Sequence, residues 1–300
     1  MKSAIRNYND GFEVKVHNVK CNRYRICIRS LKLKTLKTCI FLLFTISLSS
    51  CDGLFQYNPN QIILDDDEKD LNNKNIKRIL ALPATDTLKF ILLGDTQRGY
   101  DETEDFVKSA NSQRNISFVL HAGDISDFGL TQEFRWINDI MSKLKYPYLT
   151  VIGNHDIVAN GPLAYARMYG ALDYSFEFGN NKFIFINTNS REYNFDGKVP
   201  DLGWLKTQLA DNPGSKNAIV IAHVPPFDAD FDSALEKQYA AILAADPNVK
   251  FTLYGHQHTF KDGKFYNDGV HYYVTTNIVA RGYMIVTTWK GGYKVDRIEF

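Results

Sequence analysis

Five short segments carry most of the side chains able to do chemistry. They are Gly94-Asp95-Thr96-Gln97, Gly123-Asp124-Ile125-Ser126-Asp127, Gly153-Asn154-His155-Asp156, Ala222-His223-Val224 and Gly255-His256-Gln257-His258. Four of the chain's seven histidines fall within them. Carboxylates, an amide oxygen and imidazoles together form a mixed oxygen and nitrogen donor set suited to Mn, Fe or Zn. The set is too rich in imidazole for a calcium cage, which uses oxygen ligands. It also holds more donors than one ion needs, which favours two ions sharing a carboxylate. Such a pair generates a hydroxide near neutral pH, clamps phosphoryl oxygens and stabilises a leaving oxygen. Singly, each segment is weak: Gly-Asp after a strand is a common turn, Asp127 could cap a helix, and His223 alone reads as a strand-end histidine. Their joint order is what points to a metal site.

Each segment follows a short apolar run. Strand-like runs are Lys89–Leu93, Ile116–His121, Tyr148–Ile152, Lys182–Asn187, Ala218–His223 and Lys250–Tyr254. Between them lie predicted helices at Glu102–Gln113, where Asp101 and Glu104 are spaced as a capping box, Gln132–Lys143, Leu202–Ala210 and Asp232–Ala244. Ligand-binding residues in open α/β folds cluster at the carboxyl ends of strands. The glycines are expected to turn the backbone sharply, so that the next side chain points into a cleft. After Lys264 the helices stop, and His271–Thr276, Tyr283–Thr288 and Tyr293–Phe300 read as consecutive strands. The pattern predicts an α/β (α+β) fold of two stacked sheets with helices outside, rather than one doubly wound sheet. His121 and His271 sit in apolar strands and are expected to be core or edge residues, not ligands.

In this order the five segments resemble the calcineurin-like metallophosphoesterase superfamily, whose pattern is D-x-H, GDxxD, GNHD/E, a lone His and GHxH. The match spans roughly residues 89–260. The resemblance implies a four-layer α/β/β/α sandwich of two mixed sheets. It further implies hydrolysis of a phosphate ester, as a phosphodiesterase or phosphomonoesterase, with two divalent ions (Mn, Fe or Zn) and a bridging hydroxide attacking phosphorus in line. Asp124 would bridge the ions. Asp95 and His258 would complete one site, with Gln97 standing where the family has His, and Asn154, His223 and His256 would complete the other. His155 would not ligate but would contact the phosphate and protonate the leaving oxygen, oriented by Asp127. Phe128-Gly129 after Asp127 departs from the Arg-Gly of protein Ser/Thr phosphatases, and Asp127 itself departs from the tyrosine of purple acid phosphatases. The cyclic-nucleotide-phosphodiesterase and phosphomonoesterase-like group remains. A small phosphate ester would be bound by loops at Arg98–Tyr100, Asn160–Tyr169, Glu192–Val199 and Pro225–Phe231. The alternative is a catalytically degenerate module that binds metal or phosphate on the same fold, because Gln97 replaces His.

Composition narrows the setting. With 44% hydrophobic and 23% charged residues in 300, the chain can bury a full core. Residues 1–50 hold ten basic and two acidic side chains, leaving 25 basic against 32 acidic elsewhere, or about −7. A body of that charge disfavours nucleic acid as a partner and a nuclease as the activity. All four cysteines (Cys21, Cys27, Cys39, Cys51) lie in the first 51 residues, so the body has no thiolate nucleophile or zinc-thiolate site. A basic stretch and the apolar run from Cys39 to Leu48 lead to Leu48-Ser49-Ser50-Cys51, which resembles a bacterial lipobox. Residues 1–50 are therefore expected to be a signal peptide region, with 1–30 outside the natural product. A lipid on Cys51 would anchor the chain to a membrane of the cell envelope, on its periplasmic or outer surface. Residues 51–87 read as a lipidated tether with a short helix (Ile76, Ile79, Leu80) ended by Pro83, and 88–300 as the metallophosphoesterase domain. The run Asp65–Glu68 reads as a solvated face.

Imidazole is a stronger donor than an amide oxygen, so Gln97→His is expected to tighten metal binding. Titration of the metal-stripped protein checks this, and an unchanged affinity would refute a ligand role for Gln97.

Overall fold

Strands of three to eight residues, most of them apolar, build two sheets in the computed structural model, which describes residues 58–300 apart from 84, 213 and 215. In the first sheet, β1 (Thr87–Leu93), β2 (Phe118–His121) and β3 (Tyr148–Thr150) run parallel. β10 (Gly282–Trp289) pairs antiparallel with β1, and β11 (Gly292–Glu299) with β10, giving the order β11-β10-β1-β2-β3. The second sheet contains β4 (Tyr174–Phe178), β5 (Asn181–Phe185), β6 (Asn217–Ile221), β7 (Val249–Tyr254), β8 (Lys261–Gly263) and β9 (His271–Val274). Its order is β4-β5-β6-β7-β9-β8, parallel from β5 to β9 with an antiparallel strand at each edge. Six α-helices accompany the sheets among the described residues: α1 (Leu71–Leu80), α2 (Tyr100–Ser112), α3 (Thr131–Met141), α4 (Gly161–Met168), α5 (Leu202–Ala210) and α6 (Ser233–Ala245).

Side chains alternate across each strand, so every sheet feeds two apolar layers. From β1, Ile91 and Leu93 pack with Val119 against Phe106, Phe134, Ile137 and Tyr165 of α2, α3 and α4. Phe90 and Leu92 point the other way and join Phe118 and Leu120 in packing on Phe183, Phe185, Ile219 and Ile221 of the second sheet. That sheet's far face meets α5 and α6 through Ile184, Val220, Leu205, Tyr239 and Leu243. Three apolar layers thus separate four layers of structure, the expected α/β/β/α sandwich of two mixed sheets. Phe118 is the hub of the middle layer, stacked on Phe90 and edge-on to Phe183, each at 5.3 Å between ring centroids. A fully buried side chain of this size contributes roughly 1.5–3 kcal/mol.

Several elements differ from the sequence expectation. Residues 58–83 and 85–87 pack with the rest of the domain. The reason is α1: Asn72 donates to the Thr150 carbonyl and accepts from the Thr150 amide (3.3 and 3.0 Å), and Asn75 donates to the Tyr148 carbonyl (2.9 Å). These amides satisfy the open edge of β3 as a further strand would. Ile79 is buried between the sheets, but Leu80 is exposed, and the helix stops at Leu80, ahead of Pro83. Glu68 is buried against Arg135 at 2.6 Å, so the acidic run before α1 is not wholly solvated. α2 starts two residues earlier than expected because the Thr103 amide bonds to the Gly99 carbonyl, so Asp101 and Glu104 lie inside the helix and form no capping box. Most of the expected loop at Asn160–Tyr169 is helix α4, Gly161–Met168, because Pro162 is tolerated in a first helical turn. β4 and β8 were also not anticipated. The expected signal peptide region and Cys51 lie outside the described residues. Among the described residues no helix is long and apolar enough to cross a membrane.

Candidate metal centre

The five chemical segments leave β1, β2 and β3 of the first sheet and β6 and β7 of the second, all at their carboxyl ends. Their backbones interlock. The Asp95 amide donates to the Gly123 carbonyl (2.9 Å), and the Thr96 and Gln97 amides donate to the Asp124 carbonyl (2.9 and 3.2 Å). The Gly255 amide donates to the His223 carbonyl (3.1 Å). The sharp turns are taken by the chemical residues themselves, not by the glycines before them. Asp95, Asp124, His256 and His258 have φ of 55°, 59°, 72° and 56°, in the left-handed region that costs free energy for any residue with a Cβ. Among the motif glycines only Gly123 lies there. Gly153 answers to crowding instead: a Cβ on it would meet the Asp124 amide nitrogen and Oδ1 at 2.1 Å.

The fold brings all seven expected donors together. Asp95, Asp124 and His223 are buried and offer atoms that lie within 4.8 Å of one another. His223 Nε2 is 2.9 Å from Asn154 Oδ1 and 3.3 Å from Asp124 Oδ1. His256 Nδ1 is 3.0 Å from Asn154 Oδ1, and His258 Nε2 is 3.3 Å from Asp95 Oδ1. Gln97 joins through Nε2, which donates to Asp124 Oδ2 at 3.2 Å, while its buried Oε1 has no partner among the described residues.

The donor set fits divalent cations. His223 Nδ1 must donate to the Ala122 carbonyl at 2.6 Å, since that oxygen only accepts, which leaves the Nε2 lone pair among the other ligand atoms. His256 is held likewise, with Nε2 at 3.4 Å from Asp228 Oδ1 and 3.5 Å from Asp230 Oδ2, so that Nδ1 faces Asn154. Burial opposes charge on His223, but Asp124, Asp95 and the Ala122 carbonyl together raise the imidazole above its ordinary value, so a bound cation would take the place of the Nε2 proton. Burial likewise opposes charge on Asp124, and His223 and His155 more than offset it, lowering that carboxyl. The cluster has a buried floor of Asp95, Asp124 and His223 and a more open rim of Gln97, Asn154, His256 and His258.

His155 stands beside it, half-exposed, with Nδ1 3.1 Å from the Asp127 carbonyl and 3.4 Å from Asp127 Oδ1. Asp127 thus faces His155 with both its main-chain carbonyl and its carboxylate. His121 bonds Thr96 Oγ1 through Nε2 (2.9 Å) and accepts the Gly123 amide at Nδ1 (3.2 Å). Burial drives its pKa down to about 3, so it is a neutral brace between two loops and not part of the donor cluster. His271 lies apart, on Asp262 at 3.0 Å.

Sequence reasoning missed four supports. Asp156, inside the third segment, is fully buried, with Oδ1 accepting the Ile125 and Ser126 amides and Oδ2 the Gly153 amide, so it binds the second segment to the third. Burial pushes its carboxyl up to about 7. Asp228 and Asp230 flank His256 and are themselves held by Gln257 (2.7 Å) and by Arg191 (3.0 Å). The hydrogen bond with His256 holds the Asp228 carboxyl below its usual range. Arg98 donates from Nε to Asp127 Oδ2 at 2.6 Å. Asp156 and the pair Asp228-Ala229-Asp230 were visible as carboxylates near the motifs, but nothing in the sequence says which way they point.

Two mixed sheets that gather carboxylates, amides and imidazoles at their shared strand ends define a class, the metal-dependent phosphoric ester hydrolases. Within it the chain belongs to the calcineurin-like phosphoesterase family, whose model matches residues 88–260. It is 25% identical over 182 residues to a 3′,5′-cyclic-nucleotide phosphodiesterase of Nostoc sp., covering 56% of this chain and 68% of that one. It is 27% identical over 205 residues to the uncharacterized protein YvnB of Bacillus subtilis, covering 59% of this chain but only 16% of that much longer protein. A dimetal phosphatase from Danio rerio shares the fold, with a TM-score of 0.59 at 13% identity, covering 71% of this chain and 97% of that one.

Gly153→Ala is expected to force the second and third segments apart and weaken metal binding by at least about tenfold, with far-UV circular dichroism retained. Metal titration checks it, and unchanged affinity would mean that this close approach does not set the donor spacing.

Proposed function

We propose that the chain is an exported, lipid-anchored enzyme that hydrolyses phosphodiesters at two divalent ions. The observation that carries the reading is the convergence of seven donor side chains from five strand ends, with His155 beside them. Asp124 lies between the groups Asp95, Gln97 and His258 on one side and Asn154, His223 and His256 on the other. Metal ions held there would supply positive charge to the phosphoryl oxygens and acidify water. His155 is the proton donor to the leaving oxygen: Nδ1 is engaged by Asp127, which leaves Nε2 for the substrate. The diester preference is supported by the likeness to a cyclic-nucleotide phosphodiesterase. Envelope location rests on the lipobox-like Leu48-Ser49-Ser50-Cys51, and nucleic acid is disfavoured by the acidic body.

The test uses metal-stripped protein supplied with Mn, Fe or Zn, and follows bis-p-nitrophenyl phosphate and p-nitrophenyl phosphate. Turnover is expected only with metal and faster on the diester, and on the corresponding phenyl ester, whose leaving oxygen needs a proton, His155→Ala should lower kcat by about 10²–10⁴-fold while metal binding persists. Tight metal binding without turnover on either ester would sink the enzymatic reading, and no metal binding would sink the centre itself. In a bacterial host, Cys51→Ala should move the protein out of the membrane fraction; retention there would overturn the lipid anchor.

A further inference from the structure

We propose that Arg98 is a positioning residue for leaving-group protonation, fixing the Asp127 carboxylate so that it can hold His155. The inference rests on the hydrolytic reading above.

One carboxylate serves two partners, one on each oxygen. Asp127 Oδ2 accepts from Arg98 Nε at 2.6 Å, and Asp127 Oδ1 lies 3.4 Å from His155 Nδ1. With Oδ2 engaged by Arg98, Oδ1 is turned toward His155 Nδ1, which also meets the Asp127 main-chain carbonyl at 3.1 Å, so the side chain and the backbone of one residue hold the ring. Asp127 is buried, with only 6% of its side chain exposed, whereas Arg98 is 71% exposed. A buried carboxylate needs a charged or hydrogen-bonding partner, and among the described residues Arg98 is the cation that meets it. The other nearby carboxylate, Glu133, is taken by the amides of Phe128 (2.9 Å) and Leu130 (3.2 Å). The guanidinium also lies 5.9 Å from the centre of the Phe128 ring, which limits its swing.

The backbone supplies a second, independent observation. Arg98 has φ of 65°, within a turn closed by the Gly99 amide on the Thr96 carbonyl (3.0 Å). Glycine or asparagine suits that position, and a long cationic residue there is strained. The same turn carries Gln97 into the donor cluster on one side and Arg98 over Asp127 on the other, so one strained turn sets both halves of the site.

The chemistry follows from the geometry. A P–O bond to the attacking water oxygen forms and the P–O bond to the leaving group breaks, the electron pair staying on the leaving oxygen. That oxygen takes a proton from His155 Nε2. The proton of the attacking water passes to solvent, and solvent re-protonates the ring. Arg98 touches none of the reacting atoms; it acts through Asp127 on the aim of His155.

A proton donor matters little to a leaving group as weakly basic as p-nitrophenolate and much to phenolate. Arg98→Met is therefore compared with wild type on p-nitrophenyl and phenyl esters sharing one phosphoryl group. The expected result is a kcat loss of about 10- to 100-fold on the phenyl ester, with less than about threefold on the nitrophenyl ester and KM within about threefold on both. Arg98→Lys should recover most of the loss. In the metal-free protein Arg98→Met should lower Tm, and adding Asp127→Asn should remove most of that decrease, because no buried charge is left without its cation. Equal kcat losses on both esters, a raised KM with unchanged kcat, or additive Tm shifts would overturn the inference while leaving the hydrolytic reading intact. Wild-type protein inactive on both esters would overturn both.

Discussion

A buried carboxylate has to be compensated, and Asp124 draws its compensation from the loops after β1, β3 and β6. Its carbonyl accepts the Thr96 and Gln97 amides, its Oδ1 accepts the His155 amide at 3.0 Å and faces His223, and its Oδ2 accepts Gln97. The two sheets pack through an apolar layer that would permit sliding, since dispersion and burial are not directional. Hydrogen bonds to one fixed charge are directional. The end of the sandwich where the strands point their carboxyl ends together is therefore the end where relative position is specified most tightly.

That specification also holds the backbone strain. Asp95, Asp124, His256 and His258 all adopt left-handed φ, as does Arg98. A strained residue persists only where its surroundings over-determine it. Here the surroundings are paired strand ends, a buried Asp156 gripping three amides, and a neutral His121 bracing Thr96 against Gly123. The reactive side chains stand on turns rather than in strands, but on turns whose neighbours leave them no alternative.

The donors were legible in the sequence because each followed an apolar run, and strand ends are where such runs stop. The layer architecture was legible for the same reason: short, nearly continuous apolar runs such as β1, together with the loss of helices after Lys264, separate the sheets from their covers. What escaped depended on direction or on context. Gly153 was read as a turn, although its need is a contact with Asp124 that only the folded backbone reveals. Asp101 and Glu104 had the spacing of a cap, but a tertiary start at Gly99 placed them inside α2. Arg98, Asp228 and Asp230 are charged residues in loops, and their partners lie 26 to 29 positions away in sequence. Asn72 and Asn75 sat in a polar stretch that looked like linker, and their meaning appears only against β3.

The helix α1 has a consequence beyond its place in the core. An uncovered strand edge is a template on which a second chain can add itself, and the hazard grows with local concentration. The first sheet would offer such an edge at β3, a strand of three residues, had Asn72 and Asn75 not filled its vacancies. The opposite edge is defended differently, by Lys294, Asp296 and Arg297 along β11, and the second sheet ends in β8, itself only three residues long. At β3 a copy of the chain finds no free backbone on which to extend the sheet, because the segment ahead of β1 already occupies that edge.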